Sequence, residues 1–239
     1  MKQKLYILFA FAFIMTNIRP ALADKPIVGS GVIKTETRKI SGAKYLVSSL
    51  PAKVILSTGT NEGIVIETDD NLLNLINTYI KNEQLFITLA KGSYKTKHLE
   101  VTVTMKDVNG IKNTGSGNVT TKRIINSNNL KLINSGSGDI NVANTVAKNI
   151  TISVFGSGDV FIGGYADVVN VEINGSGDVR ASSFKSKTTN VYIKGSGDCD
   201  LYYSESLLAK LLGSGDVTLQ RRPTSIKYVI KGSGDIIIK

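Results

Sequence analysis

Six aspartates stand at one fixed place in a repeated tetrapeptide. Asp139, Asp159, Asp178, Asp198, Asp216 and Asp235 each close the sequence GSGD, and Asn118 closes the near-copy GSGN. Carboxylates recurring in this way can do two kinds of chemistry. An oxygen-rich row can hold calcium ions between successive units, or each aspartate can accept a hydrogen bond from nearby turn backbone, as in an Asx turn. Stacked strands lie about 4.8 Å apart, and two carboxylates at that distance repel by about 0.9 kcal/mol even at the dielectric of water. Something must offset this. The reading adopted is turn chemistry, screened by solvent, with a calcium-bridged row as the alternative and no other cofactor.

Other reactive side chains lack companions. Cys199 falls in a column otherwise filled by aliphatic residues and reads as a small core residue. His98 is the only histidine, and a triad or zinc site needs partners that the sequence does not supply. Glu36, Glu62, Glu67, Asp69 and Asp70 could in principle pair for acid–base work, but no spacing sets two of them apart. No catalytic residue and no metal ligand is assigned.

The elements that must position the aspartates follow from the repeat. The leading glycines, Gly115, Gly136, Gly156, Gly175, Gly195, Gly213 and Gly232, recur at intervals of 18 to 21 residues, which is the beat of a solenoid. Four and six places after each lie apolar residues such as Ile140 and Val142, Val160 and Ile162, or Val217 and Leu219. The residues between them are mixed. Alternation also precedes the corner, at Val171 and Ile173 or Val191 and Ile193. This is the strand period, so each unit reads as strand, glycine corner, strand, with room for a further short strand between corners. Gly-Ser-Gly is expected to turn sharply through positive φ at glycine. Units that cannot bury an apolar face alone do so by stacking. The fold class is therefore all-β, a parallel β-helix-like solenoid of about 19–20 residues per coil.

The outward column just before the corner holds Thr114, Ser135, Phe155, Asn174, Lys194, Leu212 and Lys231, and two places earlier stand Ile133, Tyr192 and Val229. Exposed apolar groups of this kind are either covered by another part of the same chain or form contact faces between molecules, and self-association is one of these two expectations. The edge strand at Ile236–Ile238 adds a second pairing surface.

Residues 1–23 carry Lys2 and Lys4, an apolar run from Leu5 to Met15, and small residues at Ala21 and Ala23. This reads as a cleaved secretory leader. The mature chain, 24–239, is expected to be a single β-helical domain, with a less regular part at 27–110 and the repeat at 111–239. DDNLLNLINTYI (69–80) is expected to form a short helix capped by Asp70 or Asn71. One cysteine leaves no internal disulfide. The net charge of +10 loses three cations, Lys2, Lys4 and Arg19, with the leader. The remaining excess favours anionic partners such as acidic glycans or lipid headgroups. Dispersed lysines and the absence of a reader motif argue against nucleic acid.

The chain also resembles a known family, the auto-transporter adhesin head GIN domain. The resemblance rests on the recurring GSGD followed by an apolar residue, on GSGVIKTETRKISGAKYLVSSLPAKVILSTG, on IVIETDDNLLNLINTYIKNEQLFITL and on HLEVTVTMKDVNGIKNTGSGNV. It implies a right-handed β-helix. A self-exporting adhesin needs a barrel of many alternating strands, and none follows the last GSGD, so the resemblance is read as a hint of surface binding. The expected function is non-catalytic binding or assembly in the periplasm, at the cell surface or outside the cell. Another envelope protein is a further candidate partner. A polysaccharide lyase or hydrolase on the same scaffold and a cation-stabilised structural protein are the alternatives.

Overall fold

A computed structural model describes residues 25–239; the leader read at 1–23 lies outside the described residues. The repeat forms a parallel β-solenoid of about 6 turns. Strand Ile140–Val154 shows how one coil is made. Ile140, Val142, Ile150, Ile152 and Val154 are buried, while Asn141 and Thr151 between them face outward. The strand pairs in parallel with Val160–Ile173, and the register shifts between Val142 and Thr145, where the coil turns from one side to the next. Each coil thus has three sides: a short strand after the corner, one across the back, and one leading into the next corner. Burying both faces of an alternating strand is unnecessary here, because only the inward set meets the coil's interior.

Register carries the columns along the solenoid. Val119 pairs with Ile140, Ile140 with Val160, Val160 with Val179, Val179 with Cys199, Cys199 with Val217 and Val217 with Ile236. The matching corners therefore lie along one spine. They approach very closely: the Ser157 N–H donates to the Gly136 carbonyl at 3.1 Å, and Ser176, Ser196 and Ser214 repeat the bond onto Gly156, Gly175 and Gly195. A Cβ added to Gly156 would clash with the Gly136 carbonyl oxygen, and one added to Gly195 with that of Gly175. This corrects the expected reason for glycine. Positive φ occurs at Gly31, Gly42, Gly92 and Gly164 and at none of the corner glycines; what the corner requires is the absence of a side chain between coils.

The less regular beginning is a continuation of the solenoid with its chain order rearranged. Tyr45–Ser48 and Lys53–Thr58 pair in parallel with Gly110–Asn113 and Val119–Thr121 on one side, and with Gln84–Leu89 and Leu99–Met105 on the other. Antiparallel strands then cover this end: Gly63–Asp69 lies against Leu99–Met105, and Ile33–Lys39 lies against Gly63–Asp69. Buried apolar residues form one cluster from Ala43 to Leu219.

The expected helix at 69–80 is a single 3-10 turn, Leu73–Leu75, followed by strand Ile76–Lys81. That strand forms an antiparallel hairpin with Gln84–Leu89, and Asn82 and Glu83 both take positive φ (51° and 59°) at its tip, as a tight two-residue hairpin turn requires. Hairpin pairing overrides the helical spacing. Asp70 and Asn71 instead hold the preceding segment, accepting hydrogen bonds from the Ser30 hydroxyl and N–H.

Asp69 is the buried acid of this end. Its carboxylate accepts from the Thr96 hydroxyl at 2.8 Å and the Gly31 N–H at 2.7 Å. These bonds, the Thr96 bond foremost, hold its pKa below the ordinary 3.8. The folded state therefore favours the ionised form, and the stability this contributes is present above the ordinary carboxylate pKa and lost as pH falls through the lowered folded value. Asp69→Asn is expected to lower the melting temperature at neutral pH and to flatten its decline on acidification, measured by circular dichroism across the acid range.

Candidate binding face

The aspartates come together as the sequence places them, in one row along the corner spine, but their partners differ from an Asx turn. From Asp139 to Asp216, each Oδ1 accepts a hydrogen bond from the backbone N–H of the aspartate one coil on: Asp139 from Asp159 (2.9 Å), Asp159 from Asp178 (2.9 Å), Asp178 from Asp198 (2.8 Å), Asp198 from Asp216 (2.8 Å) and Asp216 from Asp235 (2.7 Å). Asn118 heads the row and accepts from Asp139 at 2.8 Å. Backbone bonds run the other way, with the Val119, Ile140 and Val160 N–H groups donating to the Asp139, Asp159 and Asp178 carbonyls. The second carboxylate oxygens of Asp159 and Asp178 both meet the Arg180 guanidinium at 3.0 Å. A cation does bridge two steps of the row, and the chain itself supplies it.

The remaining acids named from sequence sit elsewhere. Glu36 pairs with Arg38, whose guanidinium also reaches the Leu73 and Ile76 carbonyls. The hydrogen bond from Arg38 holds the Glu36 carboxyl below its ordinary pKa. Glu62 accepts from the Gly42 and Lys106 N–H groups. Glu67 lies 2.8 Å from His98 Nε2, a close approach without hydrogen-bond alignment. Cys199 is buried, and burial pushes its thiol pKa well up, so it fills the core as a protonated thiol. Among the described residues, no group of three His, Cys, Asp or Glu side chains is arranged to hold a metal ion.

A different surface gathers charge. On the side leading into the corners, register stacks Lys131, Thr151, Asn170, Asn190, Leu208 and Lys227 in one outward column, and Lys112, Ile133, Ser153, Glu172, Tyr192, Lys210 and Val229 in the next. With Lys194 and Lys231 beside them, this face carries six exposed lysines and one carboxylate, Glu172. None of the six makes an ion pair among the described residues, although Lys187 pairs with Asp167 and Arg180 with two aspartates on other sides. Between the lysine groups the face sinks into a depression of about 410 Å³ over Thr151, Ser153, Asn170, Asn190, Tyr192 and Leu208. Asn190 donates its side-chain amide to the Asn170 oxygen at 2.8 Å, and the Lys210 ammonium lies 5.5 Å from the Tyr192 ring centre, within cation–π range.

Residues 44–223 match the family described as "Putative auto-transporter adhesin, head GIN domain". The chain belongs to this family. Its fold also resembles those of several solved structures. A putative adhesin from Bacteroides fragilis aligns with a TM-score of 0.84 at 23% identity, over 89% of this chain and 100% of the other. A putative lipid binding protein from Parabacteroides distasonis gives 0.71 at 21% identity, over 90% and 100%. A putative adhesin from Parabacteroides merdae gives 0.71 at 17% identity, over 89% and 98%. At these identities the likeness is one of fold. No curated protein matches the chain.

Within this head GIN chain, sequence reasoning found Ile133, Tyr192 and Val229 on the outward face but missed Lys112, Lys131, Lys210 and Lys227. The signal was present, since each lysine has a fixed offset from its corner, but it appears only when charges are sorted by coil position. It also missed Asn113 and Asn134, which interrupt the aliphatic column two places before the corner. Their buried amides donate to the Gly117 and Gly138 carbonyls at 2.8 and 2.9 Å and so satisfy corner oxygens from inside.

Proposed function

We propose that the mature chain, exported by the leader at 1–23, works by binding or assembly at the cell envelope or surface, without catalysis. The observation that carries this reading is the face of six unpaired lysines on a scaffold held rigid by continuous coil-to-coil bonding. The family's adhesin description and the adhesin names of two similar structures support it, the name of the putative lipid binding protein from P. distasonis points to a lipid as one kind of partner, and the unpaired lysines favour an anionic one, headgroup or glycan. A lyase or hydrolase would need acids and bases converging in one groove. The repeated acids here are instead spent on backbone N–H groups, one per coil.

The test is fractionation of cells producing the full chain, followed by sedimentation of the purified mature protein with isolated envelopes. Recovery outside the cytoplasm and co-sedimentation that weakens with salt are the expected results, because exposed charges are screened within about 10 Å at 0.1 M salt. Cytoplasmic retention, or no co-sedimentation at low salt, would overturn the proposal.

A second reading, association between copies, rests on the last described coil. Tyr228, Val229, Ile230 and Ile237 are exposed there, on strands Ser225–Ile230 and Ile236–Ile238 that, among the described residues, pair on one side only. Such edges template pairing with another chain, and a charge on the edge blocks it. Sedimentation velocity is expected to show concentration-dependent dimers that Ile237→Lys abolishes.

A further inference from the structure

The geometry points to the lysine face as a site for one extended, carboxylate- or sulfate-bearing glycan, lying along the solenoid axis across the depression between Lys131 and Lys210. This rests on the binding reading above and gives it a ligand class. Charge is the first argument. Lys112 and Lys131 occupy successive coils at one end of the depression, Lys210 and Lys227 successive coils at the other, and none has a carboxylate partner among the described residues. An unpaired cation pair at each end suits a ligand that carries anions at intervals along its length.

Span is the second. Lys131 stacks through Thr151, Asn170 and Asn190 to the coil of Leu208 and Lys210. Four steps of about 4.8 Å separate the two lysine groups by about 20 Å, the reach of a short oligosaccharide.

The floor is the third. Thr151, Asn170 and Asn190 offer hydroxyl and amide groups, and after their mutual bond the two asparagines still present an amide and an oxygen toward solvent. Tyr192 and Leu208 add an apolar wall on which a sugar ring can pack. A chain of sugars lying along the face supplies anions to the lysines and hydroxyls to the outward Asn170 and Asn190 amides together. Glu172, within the depression, places one acceptor for a sugar hydroxyl and disfavours an anion at the centre, so the ligand's charges belong at its ends.

The experiment is calorimetric titration of the mature protein with oligogalacturonate, with a neutral cello-oligosaccharide of equal length, and with phosphatidylglycerol–phosphatidylcholine vesicles, at low and high salt. Binding to oligogalacturonate that weakens with salt, with little or none to the neutral sugar, is expected. The double variant Lys131→Glu/Lys210→Glu should bind at least about tenfold more weakly, since reversing charge at a complementary contact turns attraction into repulsion. Lys185→Glu, on another side of the coil, should bind as the parent does. Asn170→Leu should weaken glycan binding while leaving its salt dependence unchanged, a readout that a purely electrostatic patch would not give. These substitutions are at outward positions, and unchanged melting curves will show that folding is intact. Equal affinity in the double variant, or binding to vesicles alone, overturns the glycan assignment while leaving envelope binding standing. Failure of envelope co-sedimentation as well would remove both.

Discussion

Gly156→Ala is expected to destabilise the solenoid by about 3 kcal/mol or more, at the upper end of what overpacking costs, and to lower the melting temperature by about 10 °C. The added methyl has no space to occupy, because it would clash with the Gly136 carbonyl oxygen, and that oxygen is fixed by accepting the Ser157 and Gly158 N–H groups at 3.1 and 3.2 Å. Relief would need the coils to separate beyond their hydrogen-bonding distance, which breaks the spine locally. Stacked repeats are stabilised largely by contacts between neighbours. The damage should therefore appear as lost hydrogen-exchange protection centred on the coils that meet at Gly136, Gly156 and Gly175. Two controls separate packing from composition. Ser157→Ala, one place on, removes an exposed hydroxyl and is expected to change stability by less than about 0.5 kcal/mol. Gly63→Ala puts its methyl at an ordinary 3.5 Å from the Arg38 carbonyl and should be similarly mild. Equal stability of Gly156→Ala and Gly63→Ala would show that the corners are not held as closely as the structure has them.

What the sequence made legible, and what it hid, divides along the range of the interactions. The inward columns could be read directly because alternation is local and is written many times: Ile140, Val160, Val179, Cys199 and Val217 share one offset, and all are buried. The reason for glycine at the corner could not be read, because the atom that excludes a side chain belongs to a residue about twenty places earlier. The order of the first coils was hidden for the same cause. Tyr45–Ser48 pairs with strands beginning at Gln84 and Gly110, and no local signal names either partner. At 69–80 the spacing of Leu72, Leu75, Ile76 and Tyr79 suits a helical face as well as a hairpin, and only pairing with Gln84–Leu89 decides between them. The candidate site followed the same rule. Position on the outward face was visible residue by residue, whereas the grouping of lysines around a depression emerges only when coils are stacked in register.

The aspartate row provides the other large expected effect, as a difference between two substitutions at one position. Asp139 is partly buried, makes no ion pair among the described residues, and accepts the Asp159 N–H. Asp139→Ala leaves that N–H without its acceptor and is expected to cost about 1–3 kcal/mol. Asp139→Asn keeps an oxygen in the same place, as Asn118 does one coil earlier when it accepts from Asp139. It also removes one of a pair of like charges whose repulsion is at most about 0.9 kcal/mol in water. The expected order of stability is Asn equal to or slightly above the parent, with Ala clearly below both, read from denaturant unfolding. A chelator should leave the parent's melting temperature unchanged, because one oxygen of each carboxylate from Asp139 to Asp216 is already committed to backbone and Arg180 bridges Asp159 and Asp178. If Asn proved as damaging as Ala, and chelator lowered the melting temperature, the charge itself would be what the row needs, and bound cations would replace the hydrogen-bond ladder as its explanation. The two accounts thus differ at a single atom: the ladder requires an acceptor oxygen facing the next coil, while a cation row requires that oxygen to be negative.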